Sequence, residues 1–207
     1  MLAAAPRVRV SRLLRQLARA VRRTPERLLH PMRRHRALQR LRRNGAPASV
    51  LFVCHGNICR SPYAAAVMQA ALPSSLRRLR ITSAGFIGAG RPVPPEGLAV
   101  AGRLGVDLSG HRSAPLTASV VGAAQLVIVM DADQRHEIVQ RFGRRAEEVL
   151  VLGDCDPQPI DTRTIRDPVE QPVEVFEATY ARIDRCISQL LKALSGGGRG
   201  SRATPRN

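Results

Sequence analysis

Val50-Leu51-Phe52-Val53-Cys54-His55-Gly56-Asn57-Ile58-Cys59-Arg60-Ser61-Pro62 is the stretch on which the reading of this chain turns. Val50 to Val53 are apolar and mostly β-branched or aromatic, the pattern of a buried strand. The strand runs into Cys54, and five residues separate that cysteine from Arg60. Gly56 and Asn57 tolerate the positive φ that a tight loop requires. Ser61 reads as an N-cap and Pro62 as the first residue of a helix, which continues through an alanine-rich run to Leu72. A strand, a tight loop and a helix N-terminus form a concave nest of backbone N–H groups suited to a phosphate dianion. Such a nest also favours an anionic sulfur. Arg60 adds a planar guanidinium matched to two phosphate oxygens. Nucleophile and oxyanion cradle share one loop.

Outward from this loop, strand and helix patterns alternate. Leu79 to Ser83, Leu126 to Met130 and Val149 to Leu152 read as strands, and Glu96 to Leu104, Asp133 to Phe142 and Val173 to Leu194 as helices. On the last of these, Phe176, Tyr180, Ile183, Ile187, Leu190 and Leu191 fall close to one helical stripe. Gly88, Gly90, Pro92, Pro94 and Pro95 mark a long loop, and residues 153–172 form a second one rich in Asp and Pro. The alternation predicts an α/β fold, a parallel four-stranded sheet with helices on both faces, plus a basic N-terminal extension. The right-handed crossover rule places the loop after Cys54 at the carboxyl edge of the sheet.

Charge divides the chain into three segments. Residues 1–45 hold 14 Arg and one acid, Glu26, a net charge of +13, and residues 195–207 add three Arg and no acid. Residues 46–194 carry a net charge of only +1, so the folded domain is expected there, with 195–207 as a disordered tail. Val10, Leu13, Leu14, Leu17 and Val21 recur at helical spacing, Thr24-Pro25 and His30-Pro31 interrupt them, and a short helix from about Met32 to Leu41 follows. Residues 1–45 thus read first as a solvated, partly helical or disordered arm. An anionic membrane surface is the next candidate partner for them, and an organelle presequence the third. Arg is not interleaved with aromatics or tied to a recognisable module, so no nucleic acid is expected. No apolar run approaches the roughly 18 residues of a membrane span, which suggests a cytoplasmic protein with reduced thiols. The four cysteines lack the paired close spacing of a zinc site, and no metal is expected.

The segment from Cys54 to Pro62 resembles the signature loop of the low-molecular-weight protein tyrosine phosphatases, with Gly-Asn-Ile-Cys inside Cys-x5-Arg and Ser-Pro after it. Ser83-Ala84-Gly85, Gly105 to Ser113 and Met130-Asp131 resemble further stretches of that family, so the likeness covers about residues 48–194. The resemblance implies hydrolysis of phosphotyrosine in protein substrates through a cysteinyl-phosphate, without a cofactor. Cys54 would attack phosphorus, while Arg60 and the backbone amides of His55, Gly56, Asn57, Ile58 and Cys59 hold the equatorial oxygens. By the same resemblance Ser61 hydrogen-bonds the Cys54 thiolate and Asn57 braces the loop. The acidic loop offers Asp154, Asp156, Asp161 and Asp167 as proton donors, and Asp167-Pro168 matches the family's Asp-Pro. Cys59 is either a small packed hydrophobe or the redox partner that traps oxidised Cys54 as a disulfide.

The chain also departs from the family. Aromatic residues usually follow the Asp-Pro and wall the pocket; here Val169-Glu170-Gln171 follow, leaving Phe86, Ile87 or His55 to supply a wall. Ala114 and Pro115 stand where an Arg is common. Two alternatives share the fold. An arsenate reductase would need further cysteines, and residues 111–154 contain none. A phosphoarginine phosphatase typically has Thr where this chain has Ile58. The alternative outside enzymology is a membrane-surface adaptor that works through the basic arm.

Overall fold

The computed structural model describes residues 7–196, with side chains described from residue 25 onward. Four parallel strands, β1 (Ser49–Cys54), β2 (Arg80–Gly85), β3 (Leu126–Val129) and β4 (Val149–Val151), make one sheet in the order β2-β1-β3-β4. All four predicted strands are present. Every residue of β1 and β3 is buried, as a parallel strand covered on both faces demands, and this is why both read as unbroken apolar runs. The register sets Cys54 beside Gly85 and Val53 between Ala84 and Val129. After β1 the chain adds β2 on one side, then crosses to β3 on the other. The order reverses at the carboxyl end of β1, where open α/β sheets form their ligand crevice.

Six α-helices cover this sheet among the described residues: α1 (Arg7–Asn44), α2 (Arg60–Ala70), α3 (Pro95–Arg103), α4 (Ala118–Gly122), α5 (Ala132–Phe142) and α6 (Val173–Gly196). Strand side chains alternate between two cores. Val50, Phe52 and Cys54 face the larger one with Met68 of α2, Val100 of α3 and Ile183 and Leu190 of α6. Leu51 and Val53 face the smaller one with Val121 of α4 and Ile138 of α5. The short α4 has no counterpart in the sequence reading; Thr117 caps it by accepting from Val120 N. Asp131 caps α5 through Gln134 N at 2.7 Å.

The N-terminal extension differs from expectation in two ways. Two helices broken at the prolines were expected, yet α1 runs unbroken through Pro25 and Pro31. Its second half is also packed rather than solvated. Ala37, Leu38 and Leu41 enter the larger core, and Arg34 Nη2 donates to Gln189 Oε1 on α6 at 2.8 Å. Each proline removes one helical hydrogen bond, and these tertiary contacts offset the loss. The side chains of Val10, Leu13, Leu14, Leu17 and Val21, and residues 197–207 of the expected tail, lie outside what is described. Ser195 and Gly196 complete α6. Among the described residues no helix is long and apolar enough to cross a membrane.

Candidate active site

β1 ends at Cys54, and the loop that follows is closed by one side chain. Asn57 is fully buried and adopts φ 50°, left-handed as its type allows. Its Nδ2 donates to Ser61 Oγ at 2.8 Å and to Ser83 Oγ at 2.9 Å, and its Oδ1 accepts from Ala114 N at 2.8 Å. His111 Nε2 donates to the Asn57 carbonyl at 2.8 Å, so His111 serves as a fastener of the loop. Gly85 lies directly beneath: a Cβ there would sit 2.7 Å from Asn57 N and 2.9 Å from the Gly56 carbonyl carbon. Ser83-Ala84-Gly85 is therefore the floor on which the loop rests.

Ser61 Oγ lies 3.0 Å from Cys54 Sγ. Asn57 Nδ2 can only donate, so the Ser61 hydroxyl accepts there and keeps its own hydrogen for the sulfur. This corrects the reading of Ser61 as an N-cap. Helix α2 begins at Arg60 with Cys59 at the cap position and no capping side chain. The hydroxyl is directed to sulfur instead.

Arg60 is 3 % exposed and spans the gap between the two loops. Its Nη1 donates to the Ile165 carbonyl at 3.1 Å, and its Nη2 forms an ion pair with the Asp167 carboxylate. The acid loop is fixed from several sides. Ile165 N donates to the Met130 carbonyl at 2.8 Å, and Arg182 of α6 donates to the Thr162 and Thr164 carbonyls at 2.8 and 2.9 Å. The four candidate acids now separate. Asp154 is paired with Arg163, Asp156 with Arg182 and Arg185, and Asp161 with Arg27 of α1. Of the four, Asp167 alone lines the cavity of about 240 Å³ that contains Cys54 and Arg60.

The walls of that cavity are Ile87, Arg91, Val169 and Glu170, with His55 at its edge. Phe86 is not among them; it packs against the smaller core, on the other side of the sheet. Arg91 escaped the sequence reading. Its only signal was that it is the single charge between the glycines and prolines of the loop at 88–95. Glu170 adopts φ 58° in a turn closed by Gln171 N on the Pro168 carbonyl at 3.0 Å. Cys59 is 1 % exposed and belongs to the larger core; burial, then the charges of Cys54 and Asp167, push its thiol well up. Both tyrosines lie away from the cavity walls. Tyr63 and Tyr180 stack with ring centroids 3.8 Å apart between α2 and α6, and the Tyr63 hydroxyl donates to Asp184 at 3.1 Å. Burial raises the pKa of Tyr63, of Tyr180 and of the Asp184 carboxyl.

The sulfur of Cys54, the loop from His55 to Cys59, the Arg60 guanidinium and the Asp167 carboxylate thus meet at one cavity. A family model described as low molecular weight phosphotyrosine protein phosphatase matches residues 49–198. The chain belongs to that family. The probable low-molecular-weight protein-tyrosine-phosphatase EpsP of Ralstonia solanacearum is 39 % identical over 141 residues, 67 % of this chain and 90 % of EpsP. Among solved structures, tyrosine phosphatase AmsI of Erwinia amylovora superposes with a TM-score of 0.64 at 28 % identity, covering 72 % of this chain and 94 % of AmsI. The YwlE arginine phosphatase of Geobacillus stearothermophilus gives 0.63 at 28 %, covering 71 % and 92 %. The phosphatase match begins at β1, so α1 lies outside it.

Proposed function

We propose that this low-molecular-weight phosphatase hydrolyses phosphotyrosine in protein substrates by way of a cysteinyl-phosphate. The observation that carries the reading is Arg60, whose guanidinium joins the loop of Cys54 to Asp167. An arriving phosphoryl group competes for Nη2 and releases the Asp167 carboxylate, which takes up a proton from solvent beside the anions of the loop and turns as a carboxyl towards the leaving oxygen. Cys54 Sγ attacks phosphorus as the tyrosyl oxygen departs and takes the proton of Asp167. Charge spread over the equatorial oxygens is held by Arg60 and by the backbone amides of residues 55–60. In the second step the Asp167 carboxylate takes a proton from water, the water oxygen bonds to phosphorus and the S–P bond breaks. The Ser61 hydroxyl, 3.0 Å from sulfur, stabilises the departing thiolate.

Two alternatives fit less well. Ile58 brings no hydroxyl to the cavity, which favours an aryl ester over a phosphoarginine. Cys155, the first cysteine after the loop closed by His111, is fully buried with its thiol pushed up to about 12 by desolvation, so it supplies no ready thiolate for arsenate reduction. For Cys59 we infer a protective role. Peroxide converts the Cys54 thiolate to a sulfenic acid, and condensation with the Cys59 thiol gives the disulfide and water. The arginines of residues 1–24 support attraction to an anionic membrane surface from the cytoplasmic side.

Rates on matched phosphotyrosine, phosphoserine and phosphoarginine peptides test the main proposal. Phosphotyrosine is expected to be cleaved fastest; faster cleavage of phosphoarginine would assign the chain to the other activity.

A further inference from the structure

A second cavity, of about 440 Å³, lies between α1 and residues 157–159 of the acid loop and shares no lining residue with the active site. Its helical wall repeats every three or four residues as Arg27, His30, Arg34, Leu38 and Arg42, which places them on one face of α1. His35 joins them, and no Asp or Glu lines the cavity. Arg27 reaches out of it to Asp161 at 3.4 Å. The guanidiniums of Arg34 and Arg42 and the imidazoles of His30 and His35 therefore line one space with no carboxylate inside.

Two buried atoms of this wall lack partners. His30 is 5 % exposed, and its Nε2 donates to the Asp156 carbonyl at 3.0 Å. Its Nδ1 is buried and has no hydrogen-bond partner. Arg34 Nη2 is held by Gln189, yet its Nε is likewise buried and unpaired. Unpaired buried polar atoms are costly and rare in folded proteins. One turn apart on the same helix face, these two residues line the cavity, and the unpaired atoms lie just beneath its surface. His30 Nε2 is the donor to Asp156, so Nδ1 of the uncharged ring is an acceptor for a ligand hydroxyl, while Arg34 Nε donates to a phosphate oxygen. A ligand that reached both would remove the cost.

We propose that this cavity is a binding site for a small anion carrying clustered phosphate groups. Guanidinium forks match phosphate oxygens in pairs, and two of them beside two imidazoles suit more than one phosphate group. The volume falls in the range of about 300–1,000 Å³ typical of small-molecule sites and exceeds what one phosphate fills. Leu38, Pro157 and Pro159 give an apolar wall for the body of such a ligand. The active-site loop, by contrast, presents backbone amides at a helix N-terminus, a cradle for one phosphoryl group. The second cavity is lined instead by arginine and histidine residues of α1. Its ligand would bridge α1 to the loop that ends in Asp167.

Calorimetric titration of the full chain with inorganic tripolyphosphate tests the site. The double variant His35→Gln/Arg42→Gln alters only exposed rim residues, and Arg34→Gln alters the deeper wall. Both are expected to weaken binding about tenfold or more, as loss of charge-assisted bonds to phosphate would, while turnover of a small aryl phosphate stays unchanged. Arg60→Met, which disables the other phosphate cradle, is expected to leave this binding intact. Loss of binding in Arg60→Met with none in the rim variant would place the ligand at the active site and overturn the proposal. Equal weakening by Arg9→Gln/Arg12→Gln, which removes at least as much charge elsewhere on α1, would reduce the effect to diffuse attraction and also overturn it. Soluble and lipid-borne phosphates share this chemistry. Phosphatidylcholine vesicles with and without phosphatidylinositol bisphosphate separate them: co-sedimentation lost in the rim variant assigns a lipid headgroup, and its absence with intact tripolyphosphate binding assigns a soluble ligand.

Discussion

The signature loop and the acid loop face each other across one cavity and are held in place by opposite means. The signature loop has a bond chain of its own: Asn57, Ser61 and Cys54 are at most seven residues apart and linked in series, and Ser83, His111 and Ala114 fasten that chain from outside. The acid loop is held by distant elements, by Arg182 of α6, by Arg60 of α2 and by α1. Glu26 accepts from Arg163 N at 2.7 Å across 137 residues, and His30 from α1 donates to the Asp156 carbonyl. The bond from Ser61 to Cys54 is made within the loop itself, whereas the position of the Asp167 carboxyl depends on the assembled molecule. The nucleophile should tolerate changes elsewhere that the acid does not.

The largest effect is expected inside the cradle. Cys54→Ser should abolish turnover while orthovanadate binding persists, because the amides and Arg60 remain; measurable turnover within tenfold of the parent would remove Cys54 as nucleophile. Asp167→Asn should cost about 10²–10⁴-fold on phosphotyrosine and far less on an activated nitrophenyl ester. Rapid kinetics of phosphoenzyme formation over a leaving-group series checks this, and an unchanged dependence would assign the acid elsewhere.

The comparison is sharpened by removing the remote supports. Deleting residues 1–45 strips Leu38 and Leu41 from the core, each worth about 1.5–3 kcal/mol when fully buried. It also frees the acid loop from His30 and Glu26. Thermal unfolding should fall markedly, and phosphotyrosine turnover should suffer more than turnover of an activated ester. Deleting residues 1–24 should change neither. Equal behaviour of the two truncations would show that α1 gives the acid loop no support.

Thiol chemistry offers a smaller test. At about pH 8, iodoacetate should label Cys54 in the native protein, while burial keeps Cys59, Cys155 and Cys186 protonated and unreactive. Mild peroxide should inactivate reversibly in the parent and irreversibly in Cys59→Ser; equal recovery would leave Cys59 as packing alone. The smallest effect is expected for Glu26→Gln. It keeps an acceptor for Arg163 N, so a loss of about 1 kcal/mol or less is expected in denaturant unfolding.

What could be read from the residues follows the same division. The strand, loop and helix from Val50 to Pro62 are contiguous, so their apolar run, glycine and proline disclosed both the fold's centre and the nucleophile. Asp167 could be chosen only by likeness to a family, because nothing local distinguishes it from Asp154 or Asp156. The structure separates them, because of the four Asp167 alone lines the cavity of Cys54 and Arg60. The docking of α1 was hidden for the same reason: Pro25 and Pro31 argue locally against one helix, and the contacts that outweigh them come from α6. Ser61 was given two uses, a cap and a bond to the Cys54 sulfur, and the 3.0 Å contact with the sulfur decides for the second.

The Arg60–Asp167 pair also makes the cavity a filter for charge. Arg60 Nε is unpaired, but an anion that also takes Nη2 must displace the carboxylate already there, so the net gain at that nitrogen is the difference between two attractions. A phosphate diester or a sulfonate brings one negative charge and gains little over the group it displaces. A monoester dianion brings two and displaces it at a profit. Discrimination between monoesters and diesters is thus expected without any residue that recognises the missing substituent, and it should collapse in Asp167→Asn, where nothing stands in the way of the weaker anion.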